Sequence, residues 1–174
     1  MNATNIVFLD ETGINIGMTR LYGRALGEER VIDYVPDVRF DRVSLLSSIR
    51  LDGTLVPLTY SGTLDGKLFL TYVTQCLAPT LKEGDIVIMD NASPHKVNGV
   101  VEAIEDTGAF LIYQPTYSPD FNPTENMWSK IKAALRKEKA RTVDALFDAL
   151  KDALNAVSLA DIRGWFVNAG YSVQ

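Results

Sequence analysis

Ile6-Val7-Phe8-Leu9-Asp10 and Ile86-Val87-Ile88-Met89-Asp90 follow one pattern, four apolar residues closing on an aspartate. Continuous apolar runs, in place of polar alternation, suit strands covered on both faces, as in the parallel part of an α/β sheet. If the two strands lie side by side and parallel, both aspartates project beyond the carboxyl ends, where open α/β sheets form their sites. Either aspartate taken alone fits a turn or capping residue better than a site. The matching of the two runs favours the site.

Working outward, Met18 to Ala25, Val43 to Leu51 and Thr54 to Tyr60 read as strands, the last two joined by Asp52-Gly53, a dipeptide suited to a hairpin turn. The first half thus opens as a meander. From Leu64 the period changes: Leu64, Leu68, Phe69, Tyr72, Val73, Cys76 and Leu77 recur by threes and fours, as on one face of a helix. Cys76, the one cysteine, falls on that stripe and reads as a buried structural thiol. Ser93-Pro94 suits a helix start, with Val97, Val100, Val101 and Ile104 following. Phe110 to Tyr113 forms a further strand, and Gln114 to Pro123, with three prolines, a stiff loop. Two helices come next, one carrying Met127, Trp128, Ile131 and Leu135, the other Val143, Leu146, Phe147, Leu150, Leu154 and Val157. A short capped segment, Ser158 to Tyr171, closes the chain. The fold class is α/β, a mixed sheet with helices on both faces.

The length of 174 residues and hydrophobic content of 47% suit one well-buried core, so residues 1–174 are expected to form a single domain. The start lacks a basic stretch followed by an apolar one, and no run approaches the roughly 20 apolar residues of a membrane span. A cytoplasmic protein is expected. The net charge of −5 disfavours a polyanion-binding surface spread over the whole molecule. Its distribution is uneven: residues 1–125 carry 9 basic and 17 acidic side chains, residues 126–141 carry 6 and 1, and the remainder 2 and 4. The basic segment fits either a solvated helix face or a phosphate contact.

Paired strand-end aspartates are rigid oxygen donors of the kind magnesium prefers. Two divalent ions about 4 Å apart can activate an attacking oxygen and neutralise a pentavalent phosphate in phosphodiester chemistry. A third carboxylate would complete the second ion's shell. Glu125 is the candidate, on the first turn of the helix after the proline loop. Asn122-Pro123-Thr124-Glu125 also matches a capping box, in which Glu125 would fold back onto the Asn122 amide.

Three segments carry a resemblance. Phe8-Leu9-Asp10-Glu11-Thr12-Gly13, continuing through Met18 to Ala25, and Tyr117-Ser118-Pro119-Asp120-Phe121-Asn122-Pro123-Thr124-Glu125-Asn126-Met127-Trp128 closely resemble the mariner-like transposase superfamily, in particular its bacterial insertion-sequence branch. Ile88-Met89-Asp90-Asn91-Ala92-Ser93-Pro94-His95-Lys96 is similar to the family's second aspartate motif, and 34 residues lie between Asp90 and Glu125, the family's interval. The resemblance spans roughly residues 6–139. It implies an RNase H-like fold with a mixed five-stranded sheet, its first and fourth strands adjacent and parallel. It also implies a catalytic DDE triad of Asp10, Asp90 and Glu125 holding two Mg2+ or Mn2+ ions. The implied reaction is cleavage at the DNA ends of a mobile element and strand transfer of the freed 3'-hydroxyls into target DNA. The implied partners are DNA and, when active, a second copy in a homodimer. Relatives carry helix-turn-helix modules ahead of this domain; none is read in these residues, so a separate helix-turn-helix polypeptide is a candidate partner.

Within the motifs, Asn91 either orients a ligand beside Asp90 or supports the turn. His95, the only histidine, fits a solvated or packing role, or a contact near the scissile phosphate. Lys96, Lys130, Lys132, Arg136 and Lys137 are candidate DNA phosphate contacts, with Lys132 first because it lies two turns beyond Glu125 on the same helix face. Trp128 joins the apolar stripe as a core anchor. Glu11 is expected on the opposite side of the strand from Asp10. Two other readings stand beside this one: an RNase H-like nuclease or resolvase that uses the same carboxylates but does not join, and a non-catalytic transposase-derived dimerisation or regulatory module, which the intact carboxylates disfavour. A phosphoacceptor receiver domain is excluded, since a meander follows Asp10 and the late strand ends in Gln114-Pro115.

Overall fold

A computed structural model of the chain describes residues 3–36, 42–115 and 119–173; Tyr117 and Ser118 of the proline-loop motif lie outside them. Five strands, β1 (Ile6–Asn15), β2 (Arg42–Arg50), β3 (Leu55–Ser61), β4 (Ile86–Met89) and β5 (Phe110–Tyr113), form one sheet in the order β3-β2-β1-β4-β5. The two apolar runs that close on Asp10 and Asp90 are parallel neighbours, with Ile6 opposite Ile86, Val7 opposite Val87 and Phe8 opposite Ile88. Asp10 and Asp90 each stand two residues beyond the last of these pairs. The antiparallel hairpin β2–β3 turns at Asp52-Gly53, where Gly53 takes φ 98°, a left-handed conformation that favours glycine.

Both faces of the central strands are covered, which is why the runs do not alternate. Ile6 and Phe8 face one core and Val7 and Leu9 the other, all four buried. Over the first face lie α3 (Pro123–Glu138), α4 (Val143–Asn155) and α5 (Leu159–Asn168), supplying Trp128, Ile131, Leu135, Leu146, Leu150 and Phe166. Phe8 meets the Phe166 and Tyr171 rings edge-on, at 5.6 and 5.2 Å. Over the second face lie α1 (Gly66–Tyr72) and α2 (Val100–Glu105), with Phe69, Tyr72, Val100 and Ile104. Cys76 packs half-buried against this core. Among the described residues, no helix is long and apolar enough to cross a membrane.

Three elements differ from the sequence expectation. Met18 to Ala25 is not a strand. Instead β1 itself continues to Asn15, and the place beside it that a hairpin return through Met18 to Ala25 would take is filled by β2. Leu21, Tyr22 and Leu26 consequently stand exposed. The helix expected from Ser93 is one tight turn, Ser93–Lys96, after which the chain reopens and α2 begins only at Val100. His95 is drawn inward by contacts described below, and Gly99, at φ 94°, redirects the backbone. The Leu64–Leu77 stripe is helical from Gly66 onward, but regular α geometry ends at Tyr72 and one wider turn covers Val73–Leu77.

Candidate active site

Asp10 sits where β1 passes the amino end of α3, and that helix grips it. Asn122 caps α3, its side-chain oxygen accepting the Thr124 amide at 3.1 Å, while its Nδ2 donates to Asp10 Oδ2 at 3.2 Å. The buried Trp128 indole donates to the same oxygen at 3.3 Å, and Asp10 Oδ1 accepts the Glu11 amide at 2.8 Å. Thr124 Oγ1 lies 2.9 Å from Asp10 Oδ2 and 2.6 Å from Asn122 Oδ1. The one Thr124 hydroxyl proton is shared between these two acceptors. The carboxyl is pushed up to about 6, first by burial and also by the charges of Glu125 and Glu11, against the Thr124 and Glu11 hydrogen bonds.

Asp90, exposed at the end of β4, accepts the Ala92 amide at 2.9 Å and meets His95 Nδ1 at 2.7 Å. The His95 contact holds its carboxyl below the usual range. His95 itself is fully buried, lying over the Phe69 ring at 4.2 Å, with Nε2 3.2 Å from Glu11 Oε2. The Glu11 contact is ionic rather than an aligned hydrogen bond. Burial opposes a charge on His95, but Asp90 and Glu11 outweigh it and push the imidazole up to about 9. At neutral pH it is a buried cation between two carboxylates. Glu11 does face away from Asp10, as strand alternation requires.

Glu125 lies exposed on the first turn of α3, close enough for its charge to act on Asp10 and Lys132. Among the described residues its carboxylate makes no hydrogen bond to the Asn122 amide, so the cap is Asn122 alone. Among those residues, too, no three His, Cys, Asp or Glu side chains lie close enough to hold a metal ion. Asp90 is turned onto His95, and Asp10 is engaged by the α3 terminus.

The other sequence candidates separate into groups. Asn91 donates to the Gln114 carbonyl, tying the end of β4 to that of β5, and so supports the turn. Lys96 is exposed, its ammonium 5.6 Å from the Tyr113 ring centre. Lys130 points into the fold, bonding Asp161 and the Ala156 carbonyl and so joining α3 to α5. Lys132 is half-buried near Glu125, Arg136 and Asp10, with burial the main influence lowering its ammonium. Lys137 is exposed on the last turn of α3. Sequence reading missed the hydrogen bonds of Asn122, Thr124 and Trp128 to Asp10, the Glu11–His95 contact, and Arg42. Thr124 and Trp128 are four residues apart, so both face Asp10 from one side of α3; that spacing was the available signal.

The model of the family described as "DDE superfamily endonuclease" matches residues 5–147. The chain belongs to that family. The Tc1 transposable element transposase of Caenorhabditis elegans is 26% identical over 96 residues, covering 55% of this chain and 35% of that protein. A magnesium-containing paired-end complex of the mariner Mos1 transposase superposes with a TM-score of 0.75 at 15% identity, covering 95% of this chain and 53% of that one. The Mos1 catalytic domain alone gives 0.65 at 13% identity, covering 99% and 85%. The chain thus spans about a third of the curated relative's length and most of the Mos1 catalytic domain. The five-stranded mixed sheet has the RNase H-like fold that the motifs implied.

Proposed function

We propose that this DDE chain is the catalytic domain of a cut-and-paste transposase of the bacterial insertion-sequence branch. It cleaves phosphodiester bonds at the ends of a mobile DNA element and joins the freed 3'-hydroxyls to target DNA. The observation that carries the reading is the parallel, in-register pairing of β1 and β4. It brings Asp10, midway along β1, beside Asp90, just past the end of β4, next to the helix that carries Glu125.

The donor set fits two Mg2+ or Mn2+ ions, being made of oxygens alone on two strands and a helix. Asp10, pushed up by burial and by neighbouring carboxylates, is a group whose charge a divalent cation would compensate. Bound there, the ions would activate the attacking oxygen and neutralise the phosphate. The chain's own residues do the rest. Asn122 and Trp128 fix the Asp10 carboxylate, His95 holds Asp90 at the strand end, and Lys132 stands beside the crevice to meet a DNA phosphate. Asp90, turned from His95, would hold an ion together with Asp10. DNA is the substrate, the active form is a homodimer, and end recognition involves a helix-turn-helix module.

Labelled duplex carrying element-end sequence, incubated with Mg2+ or Mn2+ and a helix-turn-helix module, should yield cleaved and joined strands with the wild type and neither with Asp90→Ala. Equal activity in the two proteins would remove the assignment. Cleavage without joined product would point to a nuclease instead.

A further inference from the structure

Beyond Glu11, on the side of the sheet away from Asp10, lies a cavity of ≈ 450 Å³ lined by residues that include Glu11, Arg42, Ser44, Tyr60, Leu64 and Pro94. Arg42, the first residue of β2, forms part of its wall. Its guanidinium lies across the bare backbone of Gly13, where an added Cβ would come within 2.1 Å of Arg42 Nε. Its charge is felt at Tyr60 and also at Lys132. Arg136 acts on Lys132 from within α3.

Among the described residues, none of these three cations forms an ion pair with a carboxylate. Glu125 and Asp10 act on Lys132 as opposite charges, but Arg42 has no carboxylate ion-paired to it among the described residues, and an unpaired guanidinium on a cavity wall suits an anionic ligand. The one acidic wall residue, Glu11, is matched by His95. The remaining walls combine an aromatic ring and apolar Leu64 and Pro94 with the hydroxyls of Ser44 and Tyr60. A ring and apolar surface suit a base, and a guanidinium suits a phosphate. The volume is that of a small-ligand site, roughly 300–1,000 Å³, which takes one nucleotide and not a duplex.

We infer that the cavity is a nucleotide subsite. One phosphate of the processed strand lies at Arg42, and the adjoining sugar and base lie against Tyr60, Leu64 and Pro94. This rests on the reading of the chain as a DNA-processing enzyme and adds where the strand runs next to the carboxylates.

The test is binding of a fluorescein-labelled single-stranded DNA oligonucleotide, followed by anisotropy across a salt series without metal, so that no cleavage occurs. Arg42→Ala should weaken binding about tenfold and reduce the slope of log K against log salt by about 0.7, one single-strand phosphate contact. Arg42→Lys should keep the slope. Thr63→Trp, at the exposed rim, should fill the cavity and weaken binding with the slope unchanged. Circular dichroism melts establish that each variant is folded. Wild-type binding too weak to measure, Arg42→Ala behaving like Lys151→Ala on remote α4, or Thr63→Trp binding as the wild type would each overturn the subsite. Asp90→Ala retaining cleavage would overturn the transposase reading alone, because the binding series is independent of cleavage.

Discussion

Burial and the charges of Glu125 and Glu11 oppose ionisation of Asp10, so without a cation this carboxylate works against the fold. Its folded pKa lies above the ordinary value of 3.8. Its stabilising contribution is therefore fully present below pH 3.8 and is lost as pH rises through about 6. The gap sets a ceiling of roughly 3 kcal/mol. Asp10→Asn keeps the shape and stays neutral, so in EDTA it should melt higher than wild type at pH 7, with the difference vanishing near pH 4. Parallel melting curves across that range would refute the account. The two aspartates were legible because the apolar runs before them are local and repeated. Their partners were not: Thr124 and Trp128 reach Asp10 across more than a hundred residues, and Glu11 reaches His95 from another strand. His95 showed only as a lone histidine, because nothing local reveals that the Ser93–Lys96 turn buries it between two carboxylates.

The elements are held together by a few polar links set into two apolar cores. Arg50 at the end of β2 donates both terminal nitrogens to Asp85, at the start of β4, at 2.8 and 2.6 Å, with both side chains about 5% exposed. Burial disfavours the Asp85 charge, but the Arg50 fork and the Lys82 amide outweigh it and hold the carboxyl below its usual value. This stabilisation is present above pH 3.8 and is lost as pH falls through the depressed folded value. Asp85→Ala leaves a buried guanidinium unpaired and should cost about 3–5 kcal/mol in urea melts at pH 7; a loss below about 1 kcal/mol would show the pair to be dispensable. On α3, neighbouring lysines divide the work. Lys130→Ala should lower stability by less than about 1 kcal/mol, its pair with Asp161 being partly exposed, and leave DNA affinity unchanged. Lys132→Ala should weaken DNA binding and barely move the melt. The reverse pattern in melts and anisotropy would reverse the assignment. The helix sequence gave no sign of this division, because Asp161 lies on α5. Nor did Met18 to Ala25 show that it is no strand, since strand propensity carries no information about which sheet edges are already taken.

At the scale of the molecule, a chain of net charge −5 that acts on DNA as proposed would meet that polyanion through its basic segment, residues 126–141. Long-range repulsion and local attraction respond differently to salt, because the Debye length is about 30 Å at 0.01 M and about 8 Å at 0.15 M ionic strength. The acidic residues of α4, Asp144, Asp148 and Asp152, belong to the repulsive majority and form no ion pair among the described residues. Neutralising Asp148 and Asp152 to asparagine changes the net charge from −5 to −3 without touching the crevice. Their influence should therefore be kinetic and remote: in stopped-flow measurements at 0.01 M salt the double variant should associate with DNA severalfold faster than wild type, and at 0.15 M the two should coincide. Lys132→Ala should remain slower or weaker at both salts, since a phosphate contact at bonding distance is not screened by solvent ions in the same way. If the α4 variant keeps its advantage at 0.15 M, α4 itself lies at the DNA, and the basic face must extend around the helical layer instead of ending at α3.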